Sequence, residues 1–283
     1  ILRGNPNVKP EKSDTSTIGV VLQPGGVLDG LQFAADYYRI SLKDGIAPGG
    51  GQQTALLDAC RQVNADTCTT DLGTVDWLTP RGADPATWQW FNLYEGSYNA
   101  SSYKVKGIDF SLTYNHQFAN MDNVNVRVLA TKTISQVVMT AIGTTPTPIL
   151  GQTGIGNLFL PDFQSSPDWT ANLSVTYTHG GFSGTVQGRY ISAGSYDYLG
   201  AAPGDPNYGA PGYTTYSTNH IGFYQIYNMT LSYTFQDLVG DNSSLQLFVT
   251  VNNLFDRDPP SIGSANYYDR LGRRFRFGIR AAF

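Results

Sequence analysis

Ser101-Ser102-Tyr103-Lys104 spells S-x-x-K, the spacing at which a lysine one helical turn away can activate a serine nucleophile. No companion motif of that enzyme class follows, and the tetrapeptide lies in an alternating stretch that reads as a strand rather than a helix start. His116, His179 and His220 fall in three different connections, so they do not assemble a proton-transfer site or a metal site. Acid–base or nucleophilic catalysis therefore has no constellation here, and no cofactor motif is present. Cys60 and Cys68 have no histidine or third cysteine near them, which disfavours a metal pair and favours a disulfide if their loop is exported. Two aromatic groups are candidates for binding. Trp77, Trp88, Trp90, Phe91 and Tyr94 crowd one stretch; Tyr196, Tyr198, Tyr208, Tyr213, Tyr216 and Tyr224 crowd another. Flat rings of this kind stack on sugar faces or aromatic chelates, or else pack loop on loop and anchor at a membrane surface. Arg127, Arg189, Arg274, Arg276 and Arg280, with Asp109, can pair with one another, with carboxylates of another segment or with an anionic ligand.

These residues sit on segments whose apolar positions recur with period two. Phe275, Phe277, Ile279, Ala281 and Phe283 share one face, while Arg274, Arg276 and Arg280 take the other. Leu245, Leu247, Val249 and Val251 alternate with Gln246, Phe248, Thr250 and Asn252, and Met229, Leu231, Tyr233 and Phe235 with Asn228, Thr230, Ser232 and Thr234. The same reading holds from Trp169 to Tyr177, Phe182 to Tyr190, Ile108 to Tyr114 and Val124 to Ala130. Ile18–Leu22 is a weaker strand, and Leu31–Leu42 changes phase at Tyr38, as a bulge or an exit from the apolar zone would require. About nine strands result. The stretch from Gln53 to Val63 reads as a short helix inside a long loop.

Connections alternate in length. Residues 23–30, 115–123, 178–181 and 236–243 are short; 45–92, 136–167, 193–221 and 256–272 are long. Short turns at one end and long loops at the other are the pattern of an outer-membrane barrel. Trp169 and Tyr177, Phe182 and Tyr190, and Phe275 and Phe283 each bracket an aliphatic face. Eight residues rise roughly 26 Å along a strand, or about 20 Å at a ~40° tilt, close to the apolar band of such barrels. Charged residues make up only 14% of the 283 residues, and the net charge is −4, which leaves no basic stripe for nucleic acid. No apolar run approaches the ~18 residues of a membrane helix.

Gly4-Asn5-Pro6-Asn7-Val8-Lys9-Pro10-Glu11-Lys12-Ser13-Asp14-Thr15 resembles the GNP-x-LKPE signature of TonB-dependent receptors. Val251-Asn252-Asn253-Leu254-Phe255-Asp256-Arg257-Asp258-Pro259 resembles their NLFD-x-x-P signature, and the run ending in Phe283 resembles their closing strand. Ala35–Ile40 and Lys106–Phe110 also read like strands of that family. The resemblance implies an all-β antiparallel transmembrane barrel, of which residues 1–283 supply about nine C-terminal strands out of 22, with the plug domain absent. It further implies short turns facing the periplasm and long extracellular loops. Phe283 takes the place of the outer-membrane assembly signal, and the six charges named above face the lumen. The implied partners are the TonB complex through a missing N-terminal part, the barrel assembly machinery through the last strand, outer-membrane lipid and a small-molecule nutrient. The expected function is uptake of siderophore-bound iron or oligosaccharide across the outer membrane of a Gram-negative bacterium. Trp77, Trp88, Trp90, Tyr196, Tyr198, Tyr213 and Tyr216 are the candidate ligand contacts.

Two other classes fit the alternation. A complete small barrel, acting as a passive pore or structural protein, requires pairing between the first and last strands. A soluble β-sandwich of carbohydrate-binding type requires a second sheet over the apolar face.

Overall fold

The structure, a computed structural model, describes residues 2–6, 8–47, 53–63, 65–70, 73–119, 122–139, 146–154, 165–237, 240, 243–261 and 267–282. Phe283 lies outside the described residues. Alternating β-branched and aromatic residues produce nine long strands: β1 (Lys12–Leu22), β2 (Leu31–Ala47), β3 (Tyr98–Gln117), β4 (Asn123–Met139), β5 (Trp169–His179), β6 (Phe182–Ile191), β7 (Tyr224–Gln236), β8 (Ser244–Asn252) and β9 (Arg274–Ala282). They form a meander in which each strand neighbours the next in sequence; Thr147–Pro148 pairs with β4 and completes a ten-stranded sheet. The ends of the order are β1 and β9, and no pairing joins them among the described residues.

The chain divides into two compact units. One contains Ile1–Thr15, Ile40–Lys104 and Val137–Pro148; the other contains Ser16–Arg39, Val105–Gln136 and Ile149–Phe283.

In the second unit the register lines up apolar residues from strand to strand. Val126, Val175, Val186, Met229, Val251 and Phe275 form one row of successive partners. Val124, Tyr177, Gly184, Leu231, Val249 and Phe277 form the next. A slip of one residue in any strand would turn these rows inside out, so the pattern itself fixes the register. This apolar face is uncovered. Ile18 is 73% exposed, Phe277 76% and Ile279 73%, and all of β1 is exposed. Contiguous apolar exposure on this scale marks a surface that meets lipid or protein rather than water. The other sheets among the described residues have four strands or two, and the soluble-sandwich alternative therefore lacks its covering layer.

On the opposite face, close approach at two glycines shapes the wall. A Cβ at Gly278 would stand 2.2 Å from the Phe248 ring, and one at Gly107 would stand 2.5 Å from the Tyr38 hydroxyl. Both rings lie across the neighbouring strand where a side chain is missing. The position of Tyr38 also resolves the phase change noted in the sequence. Its ring belongs to the Gly107 side, so alternation continues through Tyr38 and places Arg39 on the apolar side.

The first unit holds a small core of its own. Helix α1 (Gln53–Arg61) presents Leu56 and Cys60, one turn apart, to the hairpin Thr67–Thr70/Gly73–Trp77 and to strand Trp90–Gly96. Leu2–Arg3 adds a parallel strand to Trp90–Gly96. Cys60 and Cys68 are bridged, with their Cα atoms 5.6 Å apart. Leu56, Cys60 and Val75 are fully buried, and Trp77 is 4% exposed beside Trp88. Each buried aliphatic side chain contributes about 1.5–3 kcal/mol.

Candidate functional site

The polar face of the second unit carries the arginines named from the sequence. Thr176, Thr185, Thr230, Thr250 and Arg276 are successive partners from β5 to β9. Hydroxyl hydrogen bonds tie Thr176 to Thr185 (3.0 Å) and Thr230 to Thr250 (3.1 Å). The next row is Arg127, Ser174, Gln187 and Asn228, and the one beyond is Leu129, Asn172, Arg189 and Ile226. Arg127 and Arg189 thus stand in adjacent rows with β5 between their strands. Together with Asn172, Ser174, Gln187 and Asn228 they line a hollow of about 390 Å³. Such a hollow offers guanidinium forks and amide donors to carboxylate or catecholate-type oxygen anions.

The other named charges are spread along the same face. Thr131 Oγ1 donates to Asp109 Oδ1 at 2.7 Å. Arg280 Nη1 donates to Gln246 Oε1 at 3.3 Å, and Arg274 Nη2 lies 2.7 Å from Asp269 Oδ2. Arg276 has no ion pair among the described residues.

The tyrosine-rich segment is folded rather than loose. Asn219 holds it: Asp197 N donates to Asn219 Oδ1 (2.9 Å), while Asn219 Nδ2 donates to the carbonyls of Asp197 (2.9 Å) and Gly200 (2.7 Å). Tyr216 Oη donates to Asp197 Oδ2 at 3.2 Å and meets Tyr196 edge-on at 5.0 Å. Burial first, and the Asp197 carboxylate second, push the Tyr216 hydroxyl above its ordinary range, so it stays a donor at neutral pH. Tyr208 and Tyr213 remain exposed, and Tyr198 is half-buried. Beneath them Ile191, Ile221, Tyr224, Ile226 and Tyr268 form a second core.

The tryptophans divide differently from the sequence expectation. Trp77 is core, and Trp88 packs against it, donating from Nε1 to Gly82 O (2.8 Å) beneath the Arg81 guanidinium. Trp90 (43%) and Phe91 (68%) carry the exposed aromatic surface instead. Val75 and Trp77 point inward together, and the register shifts between Asp76 and Trp77, so Trp90 meets Trp77 across an irregularity and does not share its burial.

The structure does not bring the catalytic candidates together among the described residues. Ser101–Lys104 lies within β3. His116 stacks on Tyr114 and meets Phe118 edge-on, His179 binds Asp122, and His220 stands in a separate short strand. Among the described residues, no group of three or more His, Cys, Asp or Glu could hold a metal. Nor is any described helix long and apolar enough to cross a membrane.

Sequence reasoning quoted Asn253 and Asp256 without giving them a task. Both adopt left-handed backbone (φ 53° and 55°). Fully buried Asn253 accepts from Arg257 N at 2.8 Å and donates to Arg257 O at 3.0 Å, while its own N–H donates to Asn228 Oδ1 at 2.8 Å. Asp256 Oδ1 accepts from Arg273 N at 2.8 Å, just before β9 begins. The pair clasps the loop between β8 and β9. Replacing Asn253 by Ala removes both part-buried hydrogen bonds to the Arg257 backbone and should cost about 1–3 kcal/mol, read as a lower denaturant midpoint in detergent or liposomes. An unchanged midpoint would remove the clasp from the account.

A family model described as TonB dependent receptor-like, beta-barrel matches residues 1–254. No curated protein matches the sequence. Among solved structures, the outer membrane transporter YddB from Escherichia coli is similar at TM-score 0.57 and 12% identity, over 98% of this chain and 33% of that one. The FrpB iron transporter from Neisseria meningitidis gives 0.55 and 15%, over 99% and 32%. A mutant of the ferric enterobactin receptor PfeA from Pseudomonas aeruginosa gives 0.53 and 18%, over 98% and 32%. At these identities the likeness is one of fold, and the chain spans about a third of the length of each.

Proposed function

This chain belongs to the family of TonB-dependent receptor-like β-barrels, and from that premise we propose that it forms the C-terminal wall of a receptor importing an anionic iron chelate. The family resides in the outer membrane of Gram-negative bacteria and transports rather than catalyses. The uncovered apolar face is the lipid-facing side of the wall, and the threonine- and arginine-lined face is the wet lumen. Long connections face outside and short turns face the periplasm. Ligand is captured at the exposed rings of Tyr208 and Tyr213 and moves past the lumen arginines when TonB displaces a plug lying N-terminal to this chain. The last strand is the segment that the barrel assembly machinery handles.

The single observation that carries the choice of cargo is the charge of the lumen face. Arg127, Arg189, Arg274, Arg276 and Arg280 stand there against Asp36, Asp109 and Asp269, the last of which pairs with Arg274, and an anion gains from the remaining excess of cations where a neutral sugar does not. The second reading, an oligosaccharide, rests on the exposed tyrosines, whose rings suit sugar faces equally well. Uptake of radiolabelled ferric catecholate and of labelled oligosaccharide by cells with and without the receptor decides between them. Receptor-dependent, TonB-dependent iron entry supports the first reading, and Arg127→Gln with Arg189→Gln should lower it about tenfold. Sugar entry alone sinks it.

A further inference from the structure

The apolar face of the second unit is free of charge over most of its width. Its residues on β5–β9, from Trp169 through Ala281, include no Lys, Arg, Asp or Glu. On β2–β4 the same face, within this unit, carries three cations, Arg39, Lys106 and Lys132, and their positions follow from the register. Phe118 N donates to Asp122 O (2.8 Å) and Thr131 Oγ1 to Asp109 (2.7 Å), so Gly107 stands opposite Thr133. Asn115 N donates to Gly30 O (3.0 Å), and Tyr38 lies over Gly107, so Arg39 stands opposite Lys106. Tyr38, Gly107 and Thr133 occupy the polar face; alternation puts Arg39, Lys106 and Ile134 together on the apolar one. One row below come Tyr37, Ile108, Lys132 and Trp169, the last two being direct partners.

Each cation is placed differently. Lys132 is half-buried, 3.3 Å from Asp168 and 5.6 Å above the Trp169 ring. Arg39 and Lys106 are exposed and have no ion pair among the described residues. Beneath them Phe33, Phe110 and Trp169 stack in a continuous aromatic band, with centroids 6.4 and 6.0 Å apart. A lipid-facing surface carries unpaired cations only where their heads reach an anionic layer, their stems lying on apolar neighbours.

We propose that Arg39 and Lys106, with Lys132 behind them, form a docking site for the phosphate groups of a phosphorylated lipid in the leaflet on the long-loop side. The aromatic band takes the lipid's acyl chains, and the guanidinium and ammonium groups take its phosphates. The apolar face of β5–β9, lacking charge, provides only hydrocarbon contact, so the site is local. This inference rests on the reading that the apolar face meets lipid.

The test uses the intact receptor that carries this chain, purified in detergent, with diphosphorylated lipid A as the probe and native mass spectrometry as the readout. Arg39→Gln with Lys106→Gln removes two charges and should weaken lipid A binding by about 30-fold. Fully dephosphorylated lipid A should bind the unaltered receptor as weakly as lipid A binds the variant. Inorganic pyrophosphate alone should bind poorly, since it lacks the chains that the aromatic band holds. Arg39→Lys with Lys106→Arg should restore binding, which separates charge from folding. Equal retention of lipid A by the double Gln variant, or indifference to dephosphorylation, overturns the proposal while leaving the membrane reading intact. A receptor that leaves the membrane without detergent overturns both.

Discussion

Arginine in place of Val249 should destabilise the folded receptor in bilayers by about 2–4 kcal/mol. Val249 is the direct partner of Leu231 on one side and Phe277 on the other, in the middle of the uncovered apolar rows. A guanidinium there has hydrocarbon on the lipid side and no carboxylate in reach, so it must drag water inward or bend toward an interface. Ser232→Arg is the matched control. Ser232 pairs with Ser183 and Phe248 on the polar face, where an arginine finds water and hydroxyls. Its cost should stay within about 1 kcal/mol, in line with surface substitutions generally. Urea unfolding in liposomes measures both. Similar penalties at the two positions, or the larger one at Ser232, would reverse the assignment of the faces.

The second large effect belongs to the bridged cysteines. Closing a loop of this length by a disulfide is worth about 2–4 kcal/mol, and the bridge sits in a core of only a few residues. Cys60→Ala with Cys68→Ala should therefore accelerate amide exchange in α1 and the Gly73–Trp77 strand by about 30- to 1,000-fold, the conversion of that energy at 1.4 kcal/mol per decade. Amides of β5–β9 should keep their rates, because those strands belong to the other compact unit. Reductant applied to the unaltered protein should reproduce the effect, and thiol titration without reductant should find neither cysteine free. Uniform acceleration across both units would show instead that the bridge supports the whole wall.

The wall was legible in the sequence because period two is a local signal. A strand with one apolar face states its pairing register wherever that face is buried or lipid-facing, as Leu245–Val251 and Phe275–Ile279 do. The disulfide was legible for a similar reason, since two isolated cysteines leave few alternatives. What escaped depends on contacts between distant segments. Leu2–Arg3 joins Trp90–Gly96 across some ninety residues, and Trp77 turns inward because that sheet closes over α1. Asn253 was visible as a letter in a motif, yet its work is done on the backbone of Arg257 and Asn228, which no spacing announces. Arg39 was hidden by the apolar Ile40 and Leu42 that follow it. Only the ring of Tyr38 over Gly107 shows to which side each belongs.

On the proposed reading, the width of the passage is set where the wall has no side chains. Tyr38 and Phe248 are among the bulkiest groups on the wet face, and upright they would project their full reach into the path of a solute. Leaning over Gly107 and Gly278, each places the far end of its ring where a Cβ would otherwise stand, and so projects less far from the wall. A single methyl group at Gly278 would lift the Phe248 ring off the wall. Permeability to a bulky solute would then fall out of proportion to the volume added, as when a folded door is pushed open into a corridor.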